Sequence, residues 1–167
     1  MGSFASSSHG FARFTQDEDF IVKLDRFHID QFTRAFSKDF YIDRRMIESA
    51  LSGQAWFTII HFESSFKVDF FILRKDRFSE VEFSRRLLKQ LNPGTDFFAY
   101  IQTPEDSILS KLVWYWQGGE VLENQWRDVM GMLKLQAGRL DIEYLEKWAQ
   151  ELGISDLLKR ARQEVET

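Results

Sequence analysis

The chain has 167 residues, which suffices for one domain with a real core or for a core carrying a small helical appendage. It is 44% hydrophobic and 16% aromatic, too apolar for disorder, and its net charge of -4 without a long Lys/Arg block argues against non-specific nucleic-acid binding through a basic surface. The absence of cysteine excludes disulfides, thiolate metal sites and a Cys nucleophile, and no apolar run is long enough to cross a bilayer.

The N-terminus, MGSFASSSHG, lacks a positive region followed by an apolar one, so a cytoplasmic protein is expected rather than a secreted one. Residues 19–24 (DFIVKL) read as a strand. Ile29, Phe32, Ala35 and Phe36 have helical spacing, residues 40–42 suit a short strand, and a helix over 44–51 is expected to end near Gly53. Residues 56–62 and 66–73 are two β-rich runs around Glu63-Ser64-Ser65, which predicts a hairpin. Ser79 with Glu82 suggests a capping box for a helix reaching Leu91, closed by Asn92-Pro93-Gly94, with a last strand over 97–101.

From residue 103 on the chain reads as helical. Thr103-Pro104-Glu105-Asp106 is a helix start, and Ile108, Leu109, Leu112, Val113 and Trp116 share one face before Gly118-Gly119. Trp126, Val129, Met130 and Leu133 mark a second helix. Ile142, Leu145, Trp148 and Leu152 mark a third after Asp141, and Ser155 opens a fourth carrying Leu157, Leu158, Ala161 and Val165. The tryptophans of this half read as core rather than as a base-stacking platform.

Three carboxylates stand out. Asp17 and Asp19 lie two apart at the start of a strand, hence on one face of a sheet. Asp69 lies inside the apolar strand FKVDFFI, where an ionised carboxylate is costly unless a cation or hydrogen bonds compensate. If the two strands are neighbours the three converge, and three hard oxygen donors suit one or two Mg²⁺ (or Mn²⁺) ions carrying a nucleoside triphosphate. Read separately, Asp17-Glu18-Asp19 is a solvated acidic turn and Asp69 a partner for Lys or Arg. Gly2-Ser3 before FASSSHG offers backbone N–H groups and a hydroxyl to phosphates, or is an ordinary flexible terminus. His9, His28 and His61 have no ligand spacing and read as structural or exposed.

Met1-Gly2-Ser3, then Asp17-Glu18-Asp19-Phe20, then Val68-Asp69-Phe70 resemble, in order and spacing, the signature of the nucleotidyltransferase superfamily that includes DNA polymerase beta and the minimal nucleotidyltransferases. The helical part is similar to bacterial nucleotidyltransferase-like proteins of unknown role and, more distantly, to abortive-infection nucleotidyltransferase toxins. Those carry an acid before a helical Lys and an Asp on the next helix, with Glu105, Lys111 and Asp128 as the counterparts here. From the residues alone, Glu105 is a helix-start acid and Lys111 with Asp128 an interhelical ion pair.

The resemblance implies an α/β (α+β) fold with a mixed, twisted sheet. Residues 1–102 form a nucleotidyltransferase-like core, and 103–167 a helical part packed on it. It implies transfer of a nucleoside monophosphate to an unnamed hydroxyl acceptor, with Asp17, Asp19 and Asp69 as catalytic metal ligands. Gly2, Ser3 and Lys111 would contact the nucleotide, supported by Glu105 and Asp128. Glu18 stands where the family pattern is apolar, and only Met1 precedes Gly2. Both features favour the alternative of a non-catalytic module that binds a nucleotide or a partner, as a homodimer or as one half of a toxin–antitoxin pair.

Overall fold

The computed structural model describes residues 17–91 and 94–166. Gly2, Ser3 and His9 lie outside the described residues. The architecture is mixed α/β, and the described residues divide into two compact units, one up to Glu80 and one from Val81 on. Sequence alone suggested a division after residue 102. The contacts instead join the strands of residues 87–101 to the helices that follow.

The first unit holds β1 (Asp17–Val22), α1 (Ile29–Phe36), β2 (Phe40–Tyr41), α2 (Arg44–Ser49), β3 (Trp56–His61) and β4 (Lys67–Ile72). The strand order is β1-β4-β3-β2, with β1 parallel to β4 and the other pairs antiparallel. The chain leaves β1 at one edge and enters β2 at the other, so α1 lies on the connection that crosses the sheet. Ile29, Ile47, Phe57, Ile59, Val68 and Phe70 are buried together on that side. Phe32 meets Phe57 and Phe70 edge-on at 5.5 and 5.0 Å between centroids, and Phe57 stacks on Phe70 at 5.3 Å. Such ring pairs add about 0.5–1.5 kcal/mol each beyond their area. After α2 the chain makes one π-helical turn, Ala50–Gln54. There Gly53 takes φ 142°, a region that favours glycine, and the chain reverses into β3.

The alternation in FKVDFFI explains the rest. Val68 and Phe70 point into this core, so Lys67, Asp69 and Phe71 stand on the opposite face.

The second unit begins within α3 (Arg77–Arg85), which straddles the boundary. It continues with β5 (Leu87–Gln90), β6 (Phe98–Ile101), α4 (Pro104–Gln117), α5 (Glu123–Leu135), α6 (Ile142–Glu151) and α7 (Ser155–Glu166). Two expectations are corrected here. The α3 helix stops at Arg85 instead of reaching Leu91, because Leu87–Gln90 pairs antiparallel with Phe98–Ile101 as a separate two-stranded sheet. Its N-terminus is held by Asp76, whose carboxylate accepts from the Ser79 amide (2.9 Å) and hydroxyl (3.0 Å), and not by a Ser79–Glu82 box.

α4 packs against α5 and α6, and α7 packs against the same two helices. Ile108, Leu109, Leu112, Val129, Met132, Leu145, Ala149 and Ala161 are fully buried between them. Of the four tryptophans beyond residue 103, Trp148 enters the core, whereas Trp116 is exposed.

Caps fix the helix starts. Thr103 accepts from the Asp106 amide with Pro104 at the first helical position, and Asp141 accepts from the Tyr144 amide at 3.0 Å. Asp141→Ala should lower stability by about 1 kcal/mol, while Asp141→Ser should retain most of it. Urea unfolding measures both, and equal midpoints for the wild type and the alanine variant would show that the cap contributes nothing.

Candidate functional site

The pairing register brings the two described carboxylates of the sequence motif side by side. In the parallel β1–β4 pair Asp19 stands opposite Asp69, and in the antiparallel β3–β4 pair Thr58 stands opposite Asp69. Directly paired residues share a face, so Asp19, Asp69 and Thr58 form one row across three strands. Asp17, two residues earlier, pairs with Lys67, which places its backbone on the neighbouring row of that face. The Asp17 side chain lies outside what is described. The row beyond Asp69 is Ile21, Phe71 and Trp56.

Asp69 is not left bare in its apolar strand. The Thr58 hydroxyl donates to its Oδ1 at 2.5 Å, and the carboxylate is only partly buried. The hydrogen bond and residual solvation offset much of the cost of a charge at this position, without a cation. Asp19 and Asp69 are hard oxygen donors on adjacent strands, the donor chemistry that Mg²⁺ or Mn²⁺ takes. Two carboxylates are the most that the described residues bring to this row. No group of three His, Cys, Asp or Glu side chains able to hold a metal occurs among the described residues.

Lys111, Glu105 and Asp128 are not on this sheet but in the second unit. Lys111 is nearly buried and pairs with Asp128 at 2.8 Å across α4 and α5, with Gln125 as a further acceptor at 3.0 Å. This is the interhelical ion pair that the residues alone suggested, and it commits the lysine's charge. Glu105 accepts from the Asp141 amide at 3.1 Å and lies 3.6 Å from Arg85.

Around Glu105 lies a cluster that the sequence did not reveal. Asp106 has no exposed surface. It accepts from the Tyr144 hydroxyl (2.6 Å), the Thr103 hydroxyl (2.7 Å) and Arg85 Nε (3.2 Å). The Arg85 guanidinium also lies over the Tyr144 ring, 3.9 Å from its centroid. Burial, then the bond to Asp106, push the Tyr144 phenol above its ordinary value, so it stays a donor in neutral solution. Beside this, Glu82 accepts from Ser110 (2.6 Å) and Gln102, whose amide oxygen accepts from Ser107 (3.2 Å). Burial pushes the Glu82 carboxyl up, more than its hydrogen bonds pull it down. Perturbed titration often marks function, yet here the acceptors and donors are spent on one another. The cluster ties the end of α3 to the starts of α4 and α6. Its only sequence trace is that Phe78, Glu82 and Arg85 share one face of α3 at i, i+4 and i+7.

A cleft of about 590 Å³ carries Arg26, Arg44 and Arg45. Its charge is largely matched internally, since Arg44 pairs with Asp30 and Glu48, and Arg45 lies 3.8 Å from Asp43. No helix among the described residues is long and apolar enough to cross a membrane.

Comparison of the chain with protein-family models, curated proteins and solved structures finds no match.

Proposed function

We propose that the carboxylate-bearing sheet face of the first unit is a divalent-metal site for nucleoside triphosphate, and that the chain is a nucleotidyltransferase-like protein. The observation that carries this reading is the register of Asp19 against Asp69 on adjacent parallel strands, with Asp17 two residues before Asp19. The resemblance of Gly2-Ser3, Asp17-Glu18-Asp19 and Val68-Asp69-Phe70 to the superfamily signature supports it.

Asp17, Asp19 and Asp69 would hold Mg²⁺ or Mn²⁺, which when bound neutralises triphosphate charge and stabilises the attacking and leaving oxygens. The chain's own groups then have limited tasks. Asp69, fixed at one oxygen by Thr58, accepts the proton of the acceptor hydroxyl as its oxygen bonds to the α-phosphorus. The bond between the α-phosphorus and the bridging oxygen breaks, and pyrophosphate leaves. Gly2 and Ser3 are the proposed contacts to the β- and γ-phosphates.

Calorimetric titration with Mn²⁺, and then with nucleoside triphosphate in its presence, tests the reading. Asp19→Asn and Asp69→Asn should each weaken metal-dependent binding by about 100-fold or more, as loss of one of few ligands does. Binding that is the same with and without metal, or insensitive to both substitutions, would remove the proposal.

A partner-binding role is favoured by a different observation. Leu88, Tyr100 and Phe98 occupy one face of the β5–β6 ribbon, and all are more than half exposed. Sedimentation of the wild type against Phe98→Ser and Tyr100→Ser tests it. A monomer in both cases would dispose of self-association through this ribbon.

A further inference from the structure

We infer that the same sheet face binds its nucleotide in one polarity, with the base on Trp56 and Phe71 and the terminal phosphates toward Lys67. This rests on the proposed metal site and adds to it the groups that hold the rest of the ligand.

The face has three consecutive rows. Lys67, with Asp17, Ile60 and Tyr41 in register, forms the first, Asp19, Asp69 and Thr58 the second, and Ile21, Phe71 and Trp56 the third. Successive rows are about 7 Å apart along a strand, so the three span about 14 Å. A nucleoside triphosphate has the same order of parts. Its base and its β,γ-phosphates lie on opposite sides of the α-phosphate, whose phosphorus is the reacting centre of the proposed transfer and so belongs at the row of Asp19 and Asp69.

On this face the third row has a paired aromatic surface, whereas the first has the single ring of Tyr41 at its far edge. Trp56 and Phe71 are register partners, stacked at 6.3 Å between centroids and 28° between planes. Trp56 is 49% exposed, so one side of an already oriented indole faces outward. Such a surface accepts any base, because every base has a π face. The first row is the one described row that carries a cation. Lys67 is exposed there, opposite Asp17 in the register. A flexible ammonium suits phosphates as a point charge. Reversing the ligand would set phosphates against Ile21, Phe71 and Trp56, with no cation in that row.

The test compares three probes by calorimetry: Mn²⁺ alone, inorganic tripolyphosphate with Mn²⁺, and each of the four common ribonucleoside triphosphates with Mn²⁺. Trp56→Ala should weaken nucleoside triphosphate by about tenfold or more and leave tripolyphosphate unchanged. Trp56→Phe should keep most of the affinity, and Phe71→Leu should act like Trp56→Ala in milder form. Lys67→Gln should weaken both phosphate probes. Mn²⁺ alone should bind the three aromatic variants as it binds the wild type, which also reports that they are folded, and should bind Lys67→Gln no more weakly.

If Trp56→Ala binds nucleoside triphosphate as the wild type does, while binding still requires Asp19 and Asp69, the polarity is wrong and the metal site stands. If tripolyphosphate falls in parallel with nucleoside triphosphate on Trp56→Ala, the indole acts on the fold and the base assignment is overturned. If the wild type binds neither Mn²⁺ nor any phosphate probe, the metal site fails and this inference fails with it.

Discussion

Asp106→Ala should destabilise the helical unit by about 3–5 kcal/mol, the cost of leaving a buried ionic and hydrogen-bonded cluster without its central acceptor. Asp106 has no exposed surface, and three side chains donate to it. Its removal leaves the Tyr144 and Thr103 hydroxyls without this acceptor. Arg85 keeps Glu105, at 3.6 Å. Asp106→Asn retains one acceptor oxygen but presents an NH₂ to at least one donor, so its cost should be smaller yet well above zero. Tyr144→Phe removes one donor and keeps the ring beneath Arg85. In a double-mutant cycle Asp106→Ala and Tyr144→Phe should therefore be non-additive. Urea unfolding followed by circular dichroism measures all four species. A cost below about 1 kcal/mol for Asp106→Ala would mean that water enters and replaces the carboxylate.

This cluster also marks where the sequence stopped being informative. Local signals were easy to read. Ile29, Phe32 and Phe36 announced α1, Thr103-Pro104 announced α4, and the lone acid in FKVDFFI announced a strand with two different faces. These depend on neighbours within a turn or two of the chain. Residues 86–91, RLLKQL, also look helical by composition, and here the local signal misled. Leu87–Gln90 is a strand because Phe98–Ile101 pairs with it, and long-range pairing overrides propensity. The adjacency of β1 and β4 is likewise a long-range fact. Alternation could place Asp17 and Asp19 on one face and Asp69 on one face of its own strand. It could not say that the two strands touch, nor that Asp19 would fall opposite Asp69.

Some of the remainder was within reach. Counting by two from Asp69 gives Lys67 and Phe71, whereas folding about Glu63-Ser64-Ser65 alone would set Ile59 opposite Asp69; the loop is one residue longer, and that slip brings Thr58 and Trp56 opposite Asp69 and Phe71. Those are the groups that now surround the carboxylate row. Glu82 was not within reach, because its partners Gln102 and Ser110 are 20 and 28 residues away.

Glu82→Gln should make stability less dependent on pH, in a direction opposite to that of an ordinary paired carboxylate. Burial raises the folded-state value of Glu82 above its ordinary 4.5. Below 4.5 the carboxyl is protonated in both states, and the charge carries no cost. As pH rises past 4.5, the unfolded chain releases this proton while the folded chain holds it, so the folded state binds more protons and stability falls with pH. The loss is complete once pH exceeds the folded-state value, where the buried group must also ionise. Each unit of displacement corresponds to about 1.4 kcal/mol. The substituted amide can keep the acceptor oxygen that Ser110 and Gln102 use, and it never ionises. The variant's stability relative to the wild type should therefore rise as pH climbs past 4.5 and level off once the folded-state carboxyl has ionised. Urea unfolding at unit steps of pH measures it. A difference that stays flat as pH rises from 4.5 to neutrality would mean that Glu82 titrates alike in both states. A difference that falls would mean that its hydrogen bonds from Ser110 and Gln102 outweigh its burial.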